Sequence, residues 1–131
     1  MRPILASILC LAQAIYFEGR SQSVTGQYAI GHVIMNRVAD DRFPDNPCGV
    51  IRHGGTRRNK CQFSYYCDGK PEAFYNKQAY GQAVINATIV YFQIIPDPTL
   101  GSTHYHADYV QPSWAITDPA IIINKHLFYR L

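Results

Sequence analysis

Several residue classes are scarce in this 131-residue sequence, and each scarcity excludes a class of protein. The four cysteines lack the paired Cys-x-x-Cys spacing of a zinc ribbon. No apolar run reaches the ~20 residues that a membrane-spanning helix needs, so stable membrane insertion is not expected. The net charge of +3 is too small to indicate a nucleic-acid partner, although it suits approach to an anionic polymer. With 47% hydrophobic residues, the composition favours a single domain over residues 1–131.

Glutamate is also scarce, because Glu18 and Glu72 are the only two in the chain. Glu18 ends an almost uncharged run of helical character, and Gly19 can take the left-handed conformation that closes a helix. Partial desolvation at the end of a buried helix raises the pKa of a carboxyl group and suits it to donate a proton near neutral pH. We therefore take Glu18 as the candidate general acid. The alternative is a solvated surface charge paired with Arg20.

The beginning of the chain has two interpretations. Residues 4–12 are apolar and follow Arg2, as in a short signal peptide with a cleavage site at residues 12–14. Cleavage there would leave Glu18 four residues from a free end and destroy the helix that presents it. We therefore expect a retained core helix.

Two further helices are predicted from apolar periodicity. Residues 26–38 follow a cluster of polar cap-forming residues, and residues 72–95 form the longest periodic segment, which Pro96 ends. The intervening segment is rich in turn-forming residues, with possible strands at residues 48–52 and 61–67 that would form a hairpin. So long an irregular segment between helices usually has a function.

A histidine pair and the four cysteines remain to be interpreted. His104 and His106 alternate as on a strand, and with His126 or Asp108 they could form a zinc site. Hydrogen bonding to a substrate or to the backbone is the favoured use, and no metal is expected. Cys10 is expected to be a buried thiol. We expect that Cys48 could pair with either Cys61 or Cys67 in an oxidising compartment.

Several blocks of the sequence together form a pattern. In chain order these blocks read AIYFEGRS, GQYAI, VIMNRV, CQFS, GSTHYH, PSW and HLFY, and they extend over almost the whole chain. In content and order they closely resemble the SleB/CwlJ cell-wall hydrolase family, which includes spore cortex-lytic enzymes. A set of blocks in the right order is far more specific than any single motif.

The resemblance implies a mainly α (α+β), lysozyme-like helical domain with a small β hairpin. It implies a lytic transglycosylase that cleaves the β-1,4 bond between N-acetylmuramic acid (MurNAc) and N-acetylglucosamine (GlcNAc) in peptidoglycan glycan strands, without a cofactor. The acid of the family falls on Glu18. The residues expected to bind the sugar or position its reacting hydroxyl are Gln62, Phe63, Ser64, His104, Tyr105 and Trp114.

One position departs from the family, since many relatives carry a second acidic residue where this chain has Gln22. A mechanism with one acid is therefore the simpler hypothesis. The alternatives are a muramidase that uses water, a peptidoglycan-binding domain without activity, and a zinc amidase.

The resemblance also suggests a biological setting. We expect a monomeric, phage endolysin-like enzyme that is made in the host cytoplasm and acts on the cell wall. An exported bacterial enzyme is the alternative.

Overall fold

A computed structural model describes residues 2–53 and 76–131 of the chain. These described residues form four helices, of which the first, second and fourth pack against one another, and a small antiparallel sheet that lies beside the second helix. The sheet has the strand order β1-β3-β2. In chain order the elements are α1 (Arg2–Gly19), α2 (Val24–Val38), α3 (Pro47–Arg52), α4 (Lys77–Tyr91), β1 (His104–Ala107), β2 (Ile121–Ile123) and β3 (His126–Tyr129). The predicted class, mainly α with a small β component, is confirmed.

The first two helices meet at a sharp turn beside Glu18. Helix α1 ends at Gly19, as predicted, but Gly19 does not adopt the expected left-handed conformation, since Gly101 is the only described glycine with a positive φ. Ser23 caps α2 by accepting a hydrogen bond from the Gly26 backbone N–H at 3.1 Å. A Cβ atom on Gly19 would lie 2.8 Å from the Ile30 side chain. Glycine therefore lets α2 approach the end of α1 without displacing the tip of the Ile30 side chain.

The core lies where α1, α2 and α4 pack against one another. Leu11, Ile15 and Ile34 are fully buried in it. The residues of the alternative cleavage site, Ala12 and Ala14, are also completely buried. Within the part of the chain that the structure describes, no helix is long and apolar enough to cross a membrane.

The strand predicted at residues 48–52 is wrong, because this segment forms helix α3. Asn46 caps the helix by accepting a hydrogen bond from the Gly49 backbone N–H at 2.7 Å, and Pro47 occupies the first turn. Proline at that position is pre-organised for a helix. Burial of Val50 and Ile51 against the core then outweighs the β-propensity of these residues. The predicted partner strand at residues 61–67 lies outside the described residues.

The cysteine predictions also need correction. Cys10 is not a free thiol, because it forms a disulfide with Cys48 that joins α1 to α3. The pairing of Cys48 with Cys61 or Cys67 is therefore wrong. Sequence periodicity placed Cys10 on a helix but carried no information on which helix packs against it.

Helix α4 is shorter than the predicted segment. It ends at Tyr91 instead of continuing to Ile95, since Gln93 adopts the left-handed conformation with φ of 54°. The Gln93 N–H then bonds the Val90 carbonyl and the Ile94 N–H bonds the Ile89 carbonyl, both at 3.0 Å. This pair of bonds is the Schellman pattern of a helix C-terminus, formed here without glycine.

Candidate active site

The end of α1 opens onto a cleft of about 400 Å³ between the helices and the sheet. Among the residues that the structure describes, Glu18 is the only carboxylate in the lining. The described residues that line this cleft, which we call the Glu18 cleft, are Phe17, Glu18, Tyr105, Ala107, Tyr109, Val110 and His126.

Tyr105 is the predicted site residue that the structure brings to Glu18. Its hydroxyl donates a hydrogen bond to Glu18 Oε1 at 3.4 Å. This distance is long for a hydrogen bond, as is common for catalytic contacts in a site without substrate. The Tyr105 ring stacks on Phe128 with a centroid separation of 5.6 Å, and Phe128 is fully buried. The hydroxyl is therefore held at the carboxylate by a packed ring.

Two residues of α2 anchor the segment that leads into β1 and so position Tyr105. Asn36 Nδ2 donates to the Ser102 carbonyl at 2.9 Å and to Asp97 Oδ2 at 2.8 Å. The Arg37 Nε–H group donates to the Thr103 carbonyl at 2.6 Å. Burial lowers the pKa of Arg37 to about 10, so its guanidinium stays charged at neutral pH. The register of β1 is thus tied to α2, on which the end of α1 also packs.

Arg20 does not neutralise the candidate acid. Its guanidinium lies over the Tyr16 ring, 5.0 Å from the centroid. Within residues 2–53 and 76–131, no ion pair joins Glu18 to Arg20. The structure therefore does not show the alternative, a surface ion pair between these two residues. The Glu18 side chain is also partly buried.

His126 lines the same cleft, although its place in the sequence suggested only a metal ligand. It pairs across the sheet with Ala107, and its ring meets the Tyr105 ring edge to face at 5.2 Å. Burial lowers the pKa of His126, Asp108 opposes this shift and His106 adds to it. The imidazole is therefore neutral at pH 7. The alternation of His126 and Phe128 in the block HLFY was the sequence signal that could have placed them beside Tyr105.

The predicted site residues His104 and Trp114 lie on the other face of the sheet. Side chains alternate along β1, so His104 and His106 point away from the side that carries Tyr105. The Trp114 ring lies 5.2 Å from His104 and 5.6 Å from His106. These three residues form an aromatic cluster with Tyr129, whose ring centroid is 5.3 Å from that of Trp114. The structure does not bring this cluster to Glu18.

The charge of His104 is also set by its surroundings. Burial lowers the pKa of His104 to about 4, and the cations Arg37 and Arg42 contribute to the shift. The side chain is therefore neutral at physiological pH. The other predicted site residues, Gln62, Phe63 and Ser64, lie outside the described residues.

The histidines do not form the zinc site that the sequence suggested as an alternative. His126 pairs with Ala107 and so lies on the Tyr105 face, opposite to His104 and His106. In the described ranges, 2–53 and 76–131, no group of three or more His, Cys, Asp and Glu side chains could hold a metal ion.

Comparison with known proteins decides the family. The model of the Cell Wall Hydrolase family matches residues 21–129 of the chain, which is well over half of its length. The chain belongs to the cell wall hydrolase family. The resemblance inferred from the sequence blocks is thereby confirmed.

Curated members of the family show the same relationship. The chain is 33% identical over 123 residues to a spore cortex-lytic enzyme of Halalkalibacterium halodurans, covering 92% of this chain and 34% of the relative. It is 32% identical over 125 residues to a spore cortex-lytic enzyme of Bacillus cereus, covering 94% of this chain and 44% of the relative. The chain therefore spans between a third and a half of the length of these relatives.

Two solved domains of the cell wall hydrolase family have the same fold. The catalytic domain of the Bacillus cereus SleB protein superposes with a TM-score of 0.68 at 31% identity, covering 94% of this chain and 88% of that one. The catalytic domain of the germination-specific lytic transglycosylase SleB from Bacillus anthracis gives a TM-score of 0.69 at 32% identity, covering 94% and 93%. The similarity thus includes nearly all of each catalytic domain.

Proposed function

We propose that this protein is a peptidoglycan lytic transglycosylase in which Glu18 is the general acid and then the general base. The observation that carries the proposal is the Glu18 cleft, where one partly buried carboxylate receives a hydrogen bond from Tyr105. The similarity to the catalytic domain of the Bacillus anthracis lytic transglycosylase SleB supports the same reaction.

The reaction needs one carboxyl group in two protonation states. Protonated Glu18 donates its proton to the glycosidic oxygen between MurNAc and GlcNAc, and the bond from that oxygen to the anomeric carbon breaks. The Glu18 carboxylate then accepts a proton from a hydroxyl of the same MurNAc sugar, whose oxygen bonds to the anomeric carbon. The product is an anhydro-MurNAc end, no water is consumed, and Glu18 returns to its protonated state.

A route that needs one acid agrees with the described lining of the cleft, in which Glu18 is the only carboxylate. Inverting glycosidases use a carboxylate pair about 6.5–9.5 Å apart, and retaining enzymes use a pair about 5–5.5 Å apart. Asp40, an aspartate of the described chain, forms an ion pair with Arg42 at 2.9 Å. In the described part of the chain, no aspartate joins Glu18 in lining the cleft.

Tyr105 acts as a positioning residue in this proposal. Its hydroxyl donates to Oε1 of the carboxylate and so helps to hold the orientation of the Glu18 side chain. The sugar-binding roles predicted for His104 and Trp114 would require a glycan strand that also reaches the second face of the sheet. Those roles stay predictions, as do those of Gln62, Phe63 and Ser64.

The mass of the soluble products distinguishes the candidate reactions. Purified peptidoglycan is digested with the protein, and the muropeptides are analysed by mass spectrometry without prior reduction. We expect fragments that end in anhydro-MurNAc, each one water lighter than the fragment from a muramidase digest. Reducing MurNAc ends would show hydrolysis instead, and binding without release of fragments would show a peptidoglycan-binding domain.

The biological setting is a further part of the proposal. We propose an endolysin-like role, in which the enzyme accumulates in the cytoplasm of a bacterial host and needs a membrane lesion to reach the wall. Cells producing the protein should lyse after the membrane is permeabilised and stay intact before. Lysis without permeabilisation would favour the exported alternative.

A further inference from the structure

The imidazole of His126 has one buried nitrogen and one that is free to meet a ligand. His126 Nδ1 is buried, and no hydrogen-bond partner for it exists among the described residues. The side chain as a whole is only half-buried and forms part of the wall of the Glu18 cleft. The ring therefore meets the cleft with its Nε2 edge.

The buried edge decides which nitrogen carries the proton. A buried N–H group without an acceptor is among the rarest features of native proteins, whereas an unpaired acceptor nitrogen is tolerated better. The tautomer with the proton on Nε2 avoids a buried, unpaired N–H at Nδ1. Protonation of the neutral ring at Nδ1 would create that unpaired N–H group. The lowered pKa of His126 agrees with this, because it means that the ring resists a second proton. His126 thus presents a neutral N–H donor to the cleft.

Two apolar side chains share the cleft with this donor, beside the polar groups of Glu18, Tyr105 and Tyr109. Ala107 is the direct cross-strand partner of His126, and Ala107 and Val110 line the same cleft. A ligand group that fits here combines a carbonyl oxygen, to accept from Nε2, with a methyl group, to contact these two side chains. The acetamido group of an N-acetylated sugar has both features within a few bonds. A sugar hydroxyl offers the acceptor alone.

We propose that His126 binds the acetamido carbonyl oxygen of an N-acetylated sugar in the Glu18 cleft through its Nε2–H group. The inference rests on the proposed function, because peptidoglycan supplies N-acetylated sugars to this cleft. It makes His126 a residue that selects acetylated glycan strands. It does not require the reaction to be transglycosylation.

A pair of amide substitutions tests which nitrogen matters. The amide nitrogen of glutamine occupies nearly the position of histidine Nε2, and that of asparagine nearly the position of Nδ1. His126→Gln should keep the donor and bind within about twofold of the parent. His126→Asn should lose it and weaken binding by about tenfold, the effect of one hydrogen bond. His126→Phe keeps an aromatic ring without a donor, and should match His126→Asn in binding while retaining the melting temperature.

Binding is measured in the Glu18→Gln background, so that the ligand is not cleaved. The probe is a soluble MurNAc-GlcNAc glycan strand from amidase-treated peptidoglycan, compared with the same strand after chemical removal of its N-acetyl groups. Titration calorimetry gives Kd for each variant with each strand. The tenfold effect of His126→Asn should appear with the acetylated strand and disappear with the de-N-acetylated one.

Two results would overturn the inference. One is equal binding of the acetylated strand by the parent, His126→Gln and His126→Asn. The other is an effect of His126→Asn that is as large without the acetyl groups as with them. Failure of the proposed function gives a different result, since the wild-type protein would then release no anhydro products, whatever the binding pattern of the His126 variants.

Discussion

The Tyr105 hydroxyl donates to Glu18 Oε1 across 3.4 Å and joins strand β1 to the last turn of helix α1. The contact brings together residues separated by 87 positions in the chain. The contact depends on the positions of both residues. On the Glu18 side, Gly19 packs closely on Ile30. On the Tyr105 side, Asn36 and Arg37 anchor the segment that leads into β1. A carboxylate held in this way meets the substrate in a defined orientation.

Tyr105→Phe tests the value of that orientation. The variant keeps the ring that stacks on Phe128 and removes only the hydroxyl, so the melting temperature should stay within about 2 °C. We expect kcat for release of soluble muropeptides to fall by roughly tenfold, with a smaller change in KM, because one hydrogen bond to a charged group is lost. Tyr91→Phe, in a half-buried tyrosine of α4, is the matched control and should leave kcat unchanged. An unaltered kcat in Tyr105→Phe would remove Tyr105 from the positioning role.

The disulfide between Cys10 and Cys48 should contribute to stability. It closes a loop with a sequence separation of 38 and ties α3 to the helix that carries Glu18. We expect the double variant Cys10→Ser, Cys48→Ser to lose about 2–4 kcal/mol of unfolding free energy in urea titrations. Reductant should lower the unfolding free energy of the wild type by breaking this disulfide. It should have no such effect on the double variant, which lacks the bond. If the double variant and the oxidised wild type unfold at the same urea concentration, the cross-link does not stabilise the fold.

A buried amide chain should hold α4 against α2. Asn86, which is 1% exposed, donates to Gln27 Oε1 at 2.6 Å and accepts from Gln82 Nε2 at 3.1 Å. Asn86→Ala leaves the Gln27 oxygen without its donor, and we expect a loss of about 1–3 kcal/mol in unfolding free energy. Gln78→Ala, on an exposed position of the same helix, should change it by less than about 0.5 kcal/mol. Equal effects of the two substitutions would contradict this role of the amide chain.

His104 should make the stability depend on pH. Its pKa is about 4 in the folded protein and about 6.5 when unfolded, so the unfolded chain binds more protons between these values. The contribution of neutral His104 is therefore complete above pH 6.5 and is lost as the pH falls toward 4. We expect melting temperatures measured from pH 7 to pH 4 to fall less steeply in His104→Gln than in the wild type. The control variant His53→Gln, at an exposed histidine, should show the same dependence of melting temperature on pH as the wild type. If the melting temperature of His104→Gln falls as steeply as that of the wild type, the prediction is wrong.

The sequence predicted the parts of this protein that depend on local pattern. The end of α1 at Gly19 and the cap region before α2 follow from periodicity and cap chemistry, which act over a few residues. The Cys10 to Cys48 bond could not be predicted, because it depends on how α1 and α3 pack. Helix α3 was missed because Val50 and Ile51 favour strands locally and become helical through burial in the core.

The same distinction between local pattern and tertiary packing applies to the candidate site. Glu18 is a candidate because its place at a helix end is visible in the sequence, and Tyr105 because it belongs to a family block. Strand pairing brings His126 into the Glu18 cleft, and side-chain alternation places His104 and Trp114 with the opposite face. Neither fact is available before the register of β1 and β3 is known.

The central claim is that Glu18 supplies and recovers the proton, and Glu18→Gln tests it most directly. The variant keeps the size of the side chain and an acceptor for Tyr105 but cannot donate a carboxyl proton. The rate at which it releases anhydro-muropeptides from purified peptidoglycan should be at least about 100-fold below that of the wild type, at an unchanged melting temperature. Asp118→Asn, which removes an exposed carboxylate that does not line the cleft, should retain the wild-type rate. Release of anhydro-muropeptides by Glu18→Gln at the wild-type rate would contradict the claim.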